Sequence, residues 1–482
     1  MSTHEKHYDR WDMERVKRQF SQLVILSIPI ILQRLGIMML GIVDTIMVAR
    51  YSVVEVGHQG IANQAIASTL IIAAIGLLMG TMVLTSKAYG AKNYRECGAI
   101  WHRSIPYSLA LGLIGFVICF FGEPILTFLD QPEDIAHGGG EIAKVLSFGI
   151  TMTCLMLAAQ FFLEGINRPI PGMVFMFIAN IINIFLNWVL VWGHLGFEPM
   201  GAVGSAWATS IVRTFLAVSM LLYIFYKVDR EKFGILEKTN MKWSIWKRQR
   251  HIGYAAGLTN LIEHAGFATL ILFAGYLGGM SASAWAVAFN VFGIPFMVCY
   301  GVAGATSVRV GIALGRRDHS DMTLAGVCGL AFNGLICVPM MAILYFYPVT
   351  IAEMYNKDLA FVAATAPLIA LSVWMLFLDT GQTVMGNALR GAQDIWMPAV
   401  FYIICYTILM IPLAAYMAFS FQLEEIKISS FEFDLGTTIQ FGIGHGTIGL
   451  LESIIYASFL SLILLSTRFF YLTLIKKQFN DE

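Results

Sequence analysis

From Gln22 onward the chain alternates long apolar runs with short polar breaks. Each run is roughly 20 residues or longer, the length at which a helix crosses the hydrocarbon core of a bilayer. The pattern predicts about twelve spans, at 22–48, 56–84, 104–122, 141–163, 172–193, 202–226, 251–278, 282–307, 322–347, 360–386, 396–419 and 445–471. Backbone in hydrocarbon must satisfy its own N–H and C=O groups, so the expected fold class is all-α, a polytopic membrane protein. The first 20 residues are charged and polar and hold no apolar signal-peptide core. The first span is therefore expected to direct insertion.

The polar breaks differ in charge. Twenty-five of the 31 Lys and Arg fall in the two tails and in alternate breaks, among them Lys92, Arg168, Arg316 and Arg390. The opposite breaks hold only Arg50, Lys357 and Lys427. Positive residues stay cytoplasmic, so both termini are expected in the cytoplasm. The most charged break, 227–250, carries eight Lys and Arg and divides the spans six and six. The expected organisation is a tail at 1–20, a six-helix lobe at 21–226, a linker at 227–250, a second lobe at 251–471 and a tail at 472–482.

The halves carry traces of duplication. GAKN at Gly90–Asn93 matches GRRD at Gly315–Asp318, an offset of 225. Pro124 and Asp134 match Pro348 and Asp358 at 224, and EGIN at Glu164–Asn167 matches RGAQ at Arg390–Gln393 at 226. Repeats with an even number of spans lie in one orientation, related by an axis along the membrane normal.

Composition agrees with this reading. Hydrophobic residues make up 57% and charged residues 13%, against about 25% charged in soluble proteins. Mean hydropathy is +0.70. The seven cysteines are scattered without metal-ligand spacing and read as small apolar fillers. There is no GxxxxGK[ST], HExxH or GxSxG, and no basic aromatic surface for nucleic acid. No enzyme activity, organic cofactor or nucleic-acid partner is expected, and no ATPase partner is required.

Three acids interrupt the apolar runs: Asp44, Glu263 and Asp379. A carboxylate at the bilayer centre costs on the order of 2.5–3.5 kcal/mol on insertion scales. Such groups read as carriers of a proton or cation, and point to an ion-coupled transporter. Asn180, Asn183 and Asn187 share one helical face. With Asp44 and Thr45 they would line an oxygen-rich pocket suited to a hard cation. The plainer use of the same stripe is hydrogen bonding between helices. Glu263 with His264, and Asp379 with Thr380, form a second candidate site, since neighbouring carboxylates in low dielectric share a proton or recruit a cation. Its plainer alternative is an ion pair, with Arg34 as partner. Arg34 and Arg213 read as structural, and Glu164 as interfacial. Pro29 is a candidate bend in the first span.

Several motifs carry a family resemblance. SIPIILQRLGIMMLGIVDTIMVAR at Ser27–Arg50, GIANQ at Gly60–Gln64, SVRVGIALGRRD at Ser307–Asp318 and LRGAQDIWMP at Leu389–Pro398 together resemble the multidrug and toxic compound extrusion (MATE) family, over residues 20–475 or so. The acids resemble those of its NorM-type branch. That likeness implies that Asp44, Glu263 and Asp379 bind Na⁺ or H⁺. Met375 stands where that branch often has Tyr, and His264 is unexpected, so the coupling ion stays open. The resemblance implies a monomeric antiporter in a bacterial plasma (inner) membrane. It would export small cationic amphiphilic compounds in exchange for H⁺ or Na⁺ by alternating access. A lipid-linked precursor flippase of the wider superfamily is the alternative, and would want a broad basic cavity. A membrane-embedded enzyme would want a catalytic dyad, which the sequence does not show.

Overall fold

The computed structural model describes residues 11–428 and 431–476. The first half of the predicted N-terminal tail and the end of the C-terminal tail, with Lys6, Arg10 and Lys477, lie outside the described residues. Twelve helical stretches are long and apolar enough to cross a membrane. They are span 1 (Met13–Tyr51), span 2 (Val53–Gly90), span 3 (Tyr94–Phe120), span 4 (Glu133–Gly165), span 5 (Ile170–Leu190), span 6 (Gly201–Lys227), span 7 (Lys247–Tyr276), span 8 (Gly279–Gly315), span 9 (His319–Phe346), span 10 (Leu359–Gly391), span 11 (Trp396–Ala418) and span 12 (Thr447–Lys476). Number and order follow the apolar pattern.

The helices outrun that pattern at their ends. Span 1 begins at Met13, inside the predicted tail, and span 7 begins at Lys247, inside the predicted linker. Hydropathy marks the buried part of a helix, while the helix itself continues into polar surroundings until a capping residue stops it. Asn93 and Asp318 are such caps: their side chains accept from the N–H groups of Glu96 and Asp321. Span 1 runs unbroken through Pro29. Spans 2 and 11 each contain a π-helical stretch, at Ala62–Ser68 and Ile403–Met410. An antiparallel hairpin of β1 (Phe421–Ile428) and β2 (Phe431–Phe441) occupies the break between spans 11 and 12. Both segments alternate apolar and polar residues, a period-2 signal that the search for spans passes over.

The duplication is visible in the backbone. Lys92 and Arg317 both adopt left-handed conformations, with φ of 59° and 57°, after spans 2 and 8. Asn167 and Gln393 do the same after spans 4 and 10, with φ of 61° and 63°. Short helices follow spans 3 and 9, at Gly122–Phe128 and Pro348–Tyr355. Each matched pair belongs to one of the sequence repeats or lies beside it.

The lobes meet where spans 1 and 7 cross spans 8 and 2. Glycine makes these crossings close. A Cβ on Gly76 would lie 2.4 Å from Gly257 Cα, and one on Gly301 would lie 2.8 Å from Ile31 Cα. Nearer the termini a Cβ on Gly90 would lie 2.1 Å from the Ile312 oxygen, and one on Gly315 would lie 2.0 Å from the Lys87 oxygen. The members of each pair are images of one another under the repeat. The terminal end is further closed by ion pairs. Arg15 of span 1 meets Asp318 at 2.7 Å and Asp321 at 2.5 Å, and Arg316 also meets Asp321 at 2.8 Å. Toward the other end the lobes separate. Val53–Ser68, the first part of span 2, rests mainly on spans 1, 3, 4 and 6 of its own lobe. The molecule is thus closed at the end where span 1 begins and span 12 finishes, here called the terminal end, and parted at the opposite end.

Candidate functional site

Each lobe encloses one acid cluster. In the first lobe Asp44 of span 1 is 6% exposed. Its Oδ1 accepts from Asn183 Nδ2 at 3.0 Å and Asn187 Nδ2 at 2.7 Å, both on span 5. Its Oδ2 accepts from Thr209 Oγ1 of span 6 at 2.6 Å. Arg213, four residues and so one helical turn beyond Thr209, is within Coulombic reach of the carboxylate. The amide oxygens of Asn183 and Asn187 are buried and have no hydrogen-bond partner. Buried polar atoms are almost always satisfied, so each exception calls for an explanation.

In the second lobe Asp379 of span 10 is fully buried. Its Oδ1 accepts from Tyr406 at 2.7 Å, Ser458 at 3.1 Å and Gln382 at 3.3 Å. Its Oδ2 is buried with no partner. The Gln382 amide also reaches Glu263 Oε1 at 3.4 Å, which joins the two acids through one side chain. Ser461 holds the other end of that amide, donating to Gln382 Oε1 at 3.1 Å. Tyr406 lies in the π-helical stretch of span 11, and its ring stacks on that of Tyr402. A π turn inserts one extra residue and re-aims the side chains around it. Among the described residues, none of the three acids makes an ion pair.

The structure sorts the residues singled out by sequence. Asp44, Asn183 and Asn187 come together, as do Glu263 and Asp379. Asn180 does not join Asp44. It lies a turn nearer the terminal end and donates to the backbone oxygens of Gly36 and Met176. Thr45 is exposed and bonds back to Gly41 of its own helix, because the residue after an inward-facing one points about 100° away. His264 stands apart from the acid pair and meets Thr69 of span 2 at 3.5 Å, across the seam between the lobes. Thr380 turns to Asn333 and Cys337. Thr209, Gln382, Tyr406 and Ser458 were not anticipated. Only Gln382 had a usable signal, its i+3 spacing from Asp379.

Two charged residues are placed differently from expectation. Arg34 pairs with neither Glu263 nor Asp379; its partner is Glu164, at 3.6 Å. Glu164 is fully buried rather than interfacial, and Gln160 donates to it at 2.7 Å. The repeat carries this pair onto Asn260 and Arg390 at an offset of 226. There Arg390 donates to Asn260 Oδ1 at 3.3 Å. The same two places in the fold are joined again, with the cation moved to the other helix.

The MatE family model matches residues 29–189 and 255–416, two stretches that begin 226 residues apart. The chain is 35% identical over 401 residues to the probable multidrug resistance protein NorM of Caulobacter vibrioides, covering 82% of this chain and 84% of that one. It is 28% identical over 435 residues to the multidrug resistance protein NorM of Vibrio cholerae, covering 89% and 93%. Among solved structures it resembles an outward-facing conformation of a multidrug resistance MATE family transporter of the MOP superfamily. That likeness has a TM-score of 0.81 at 18% identity and covers 94% of this chain and 96% of the other.

Proposed function

The chain belongs to the MatE family, and from that premise we propose that it exports cationic amphiphilic organic compounds in exchange for inward-moving H⁺ or Na⁺. It is a multi-pass membrane transporter, not an enzyme. The observation that carries the reading is the set of buried, unpartnered oxygens beside ion-pair-free acids: Asn183 Oδ1, Asn187 Oδ1 and Asp379 Oδ2. Buried acceptors left without donors are what a hard cation or a bound proton would satisfy. Among the described residues no three His, Cys, Asp or Glu gather as a metal site, which favours a monovalent ion over a multivalent one.

With the terminal end in the cytoplasm, the closed seam seals the inside and the parted lobes face outward. An ion entering either cluster moves down the membrane potential, a gain of about 2.3 kcal/mol per charge per 100 mV. Return of the lobes to an inward-open state would let cargo bind from the cytoplasm. The clusters are acidic rather than basic, which favours cationic over anionic cargo.

The test is dye export from proteoliposomes with pH and Na⁺ gradients imposed separately. Asp44→Asn turns one oxygen into a donor facing the donors of Asn183, Asn187 or Thr209. Export should fall to background while the protein still inserts and purifies normally. Wild-type export by that variant, or export indifferent to both gradients, would sink the proposal.

A further inference from the structure

Apart from the acid clusters, the structure has a cavity of about 700 Å³ at the terminal end of the seam. Its walls come from both lobes: the start of span 1, the turn between spans 4 and 5, the start of span 5, and the end of span 8. Three arginines line it, Arg168 from one lobe and Arg309 and Arg316 from the other, and among the described residues no Asp or Glu does. Ile25, Ile170 and Phe175 form an apolar wall. Ile25 and Ile170 are 66% and 57% exposed, so no other helix covers the wall.

Arg309 makes this more than a basic patch. It is 5% exposed, yet its Nε is buried without a hydrogen-bond partner. Its Nη2 donates to Gln19. Arg316 is part-neutralised by Asp321 at 2.8 Å. Arg168 is exposed, on the left-handed turn set by Asn167. A buried guanidinium with an unused donor is costly unless an acceptor completes it. Phosphate oxygens fit arginine donors in number and geometry.

We propose that this cavity seats an anionic phospholipid from the leaflet at the terminal end. Its phosphodiester would lie among Arg168, Arg309 and Arg316, and an acyl chain along Ile25, Ile170 and Phe175. Basic pockets between spans are suited to lipid headgroups. A cationic cargo would be repelled here, and a free phosphate has no use for a wall open to lipid. Since the arginines come from both lobes, the lipid would bridge the closed seam.

Native mass spectrometry of the purified full-length protein, titrated with phosphatidylglycerol or phosphatidylcholine, reads the site directly. Phosphatidylglycerol should bind about tenfold more tightly than phosphatidylcholine, and Arg168→Gln and Arg309→Gln should each remove most of that preference. Arg168→Gln, at an exposed position, keeps the test meaningful if Arg309→Gln folds poorly. Arg50→Gln, the same charge change at the opposite end, should leave the preference intact. Equal affinity for the two lipids, or a preference unchanged in Arg168→Gln, overturns the proposal. So does inorganic phosphate that binds alone with the same dependence on Arg168, because the ligand is then a soluble anion.

Discussion

At Asp379 one carboxylate oxygen takes three donors and the other takes none. That asymmetry holds the group by one side and leaves the other for the proposed coupling ion. A hydrogen bond to a charged group contributes about 1.5–3 kcal/mol. Tyr406→Phe removes the shortest of the three with little change in volume. It should raise the half-saturating coupling-ion concentration about tenfold or more in proteoliposome counterflow; an unchanged value would make Tyr406 a bystander. The acids were legible in the sequence because a carboxylate in an apolar run is expensive and must find polar partners. Their partners were not. Thr209, Tyr406 and Ser458 are ordinary residues in membrane helices, and only the packing of spans 6, 11 and 12 turns them toward a carboxylate. The asparagine stripe was half legible: one helical face was right, but its depth against span 1 separates Asn180 from Asn183 and Asn187.

Helix crossings depend on what is missing from the side chains. Gly90 and Gly315 let spans 2 and 8 approach backbone to backbone, each glycine lying against a carbonyl of the other helix. A backbone oxygen cannot rotate away as a side chain can, so a larger residue must part the helices. Gly315→Val should loosen the terminal end. A cysteine replacing the buried Ser86 should then react with a thiol reagent several times faster than in the parent background, in keeping with overpacking that costs about 1–3 kcal/mol. No change in rate would mean that the crossing does not hold the seam. The spans themselves were legible from hydropathy, since lipid imposes both their length and their helicity. The ends were not, because caps rather than hydropathy terminate them. The hairpin between spans 11 and 12 follows a different period altogether.

The molecule as a whole is two copies of one plan joined by an approximate two-fold relation, and three short sequence matches were enough to reveal it. The plan fixes the turns and the crossings but not the chemistry. Asp44 matches Leu270, and Asp379 has Thr153 as its counterpart, at an offset of 226. Orientation rests on the Lys and Arg distribution. Cysteines at Asp130 and Asn356 should therefore be labelled from outside intact cells, and cysteines at Lys92 and Arg316 only after permeabilisation. The seven native cysteines are all buried, so they should add little background. Labelling of Lys92→Cys from outside would reverse the assigned sidedness. Among the described residues, every side chain that donates to Asp44 or Asp379 belongs to the same lobe as that acid. On the proposed reading, substitutions along the surfaces between the lobes leave the polar partners of each acid in place, so that cargo preference and ion coupling are inherited as separate traits.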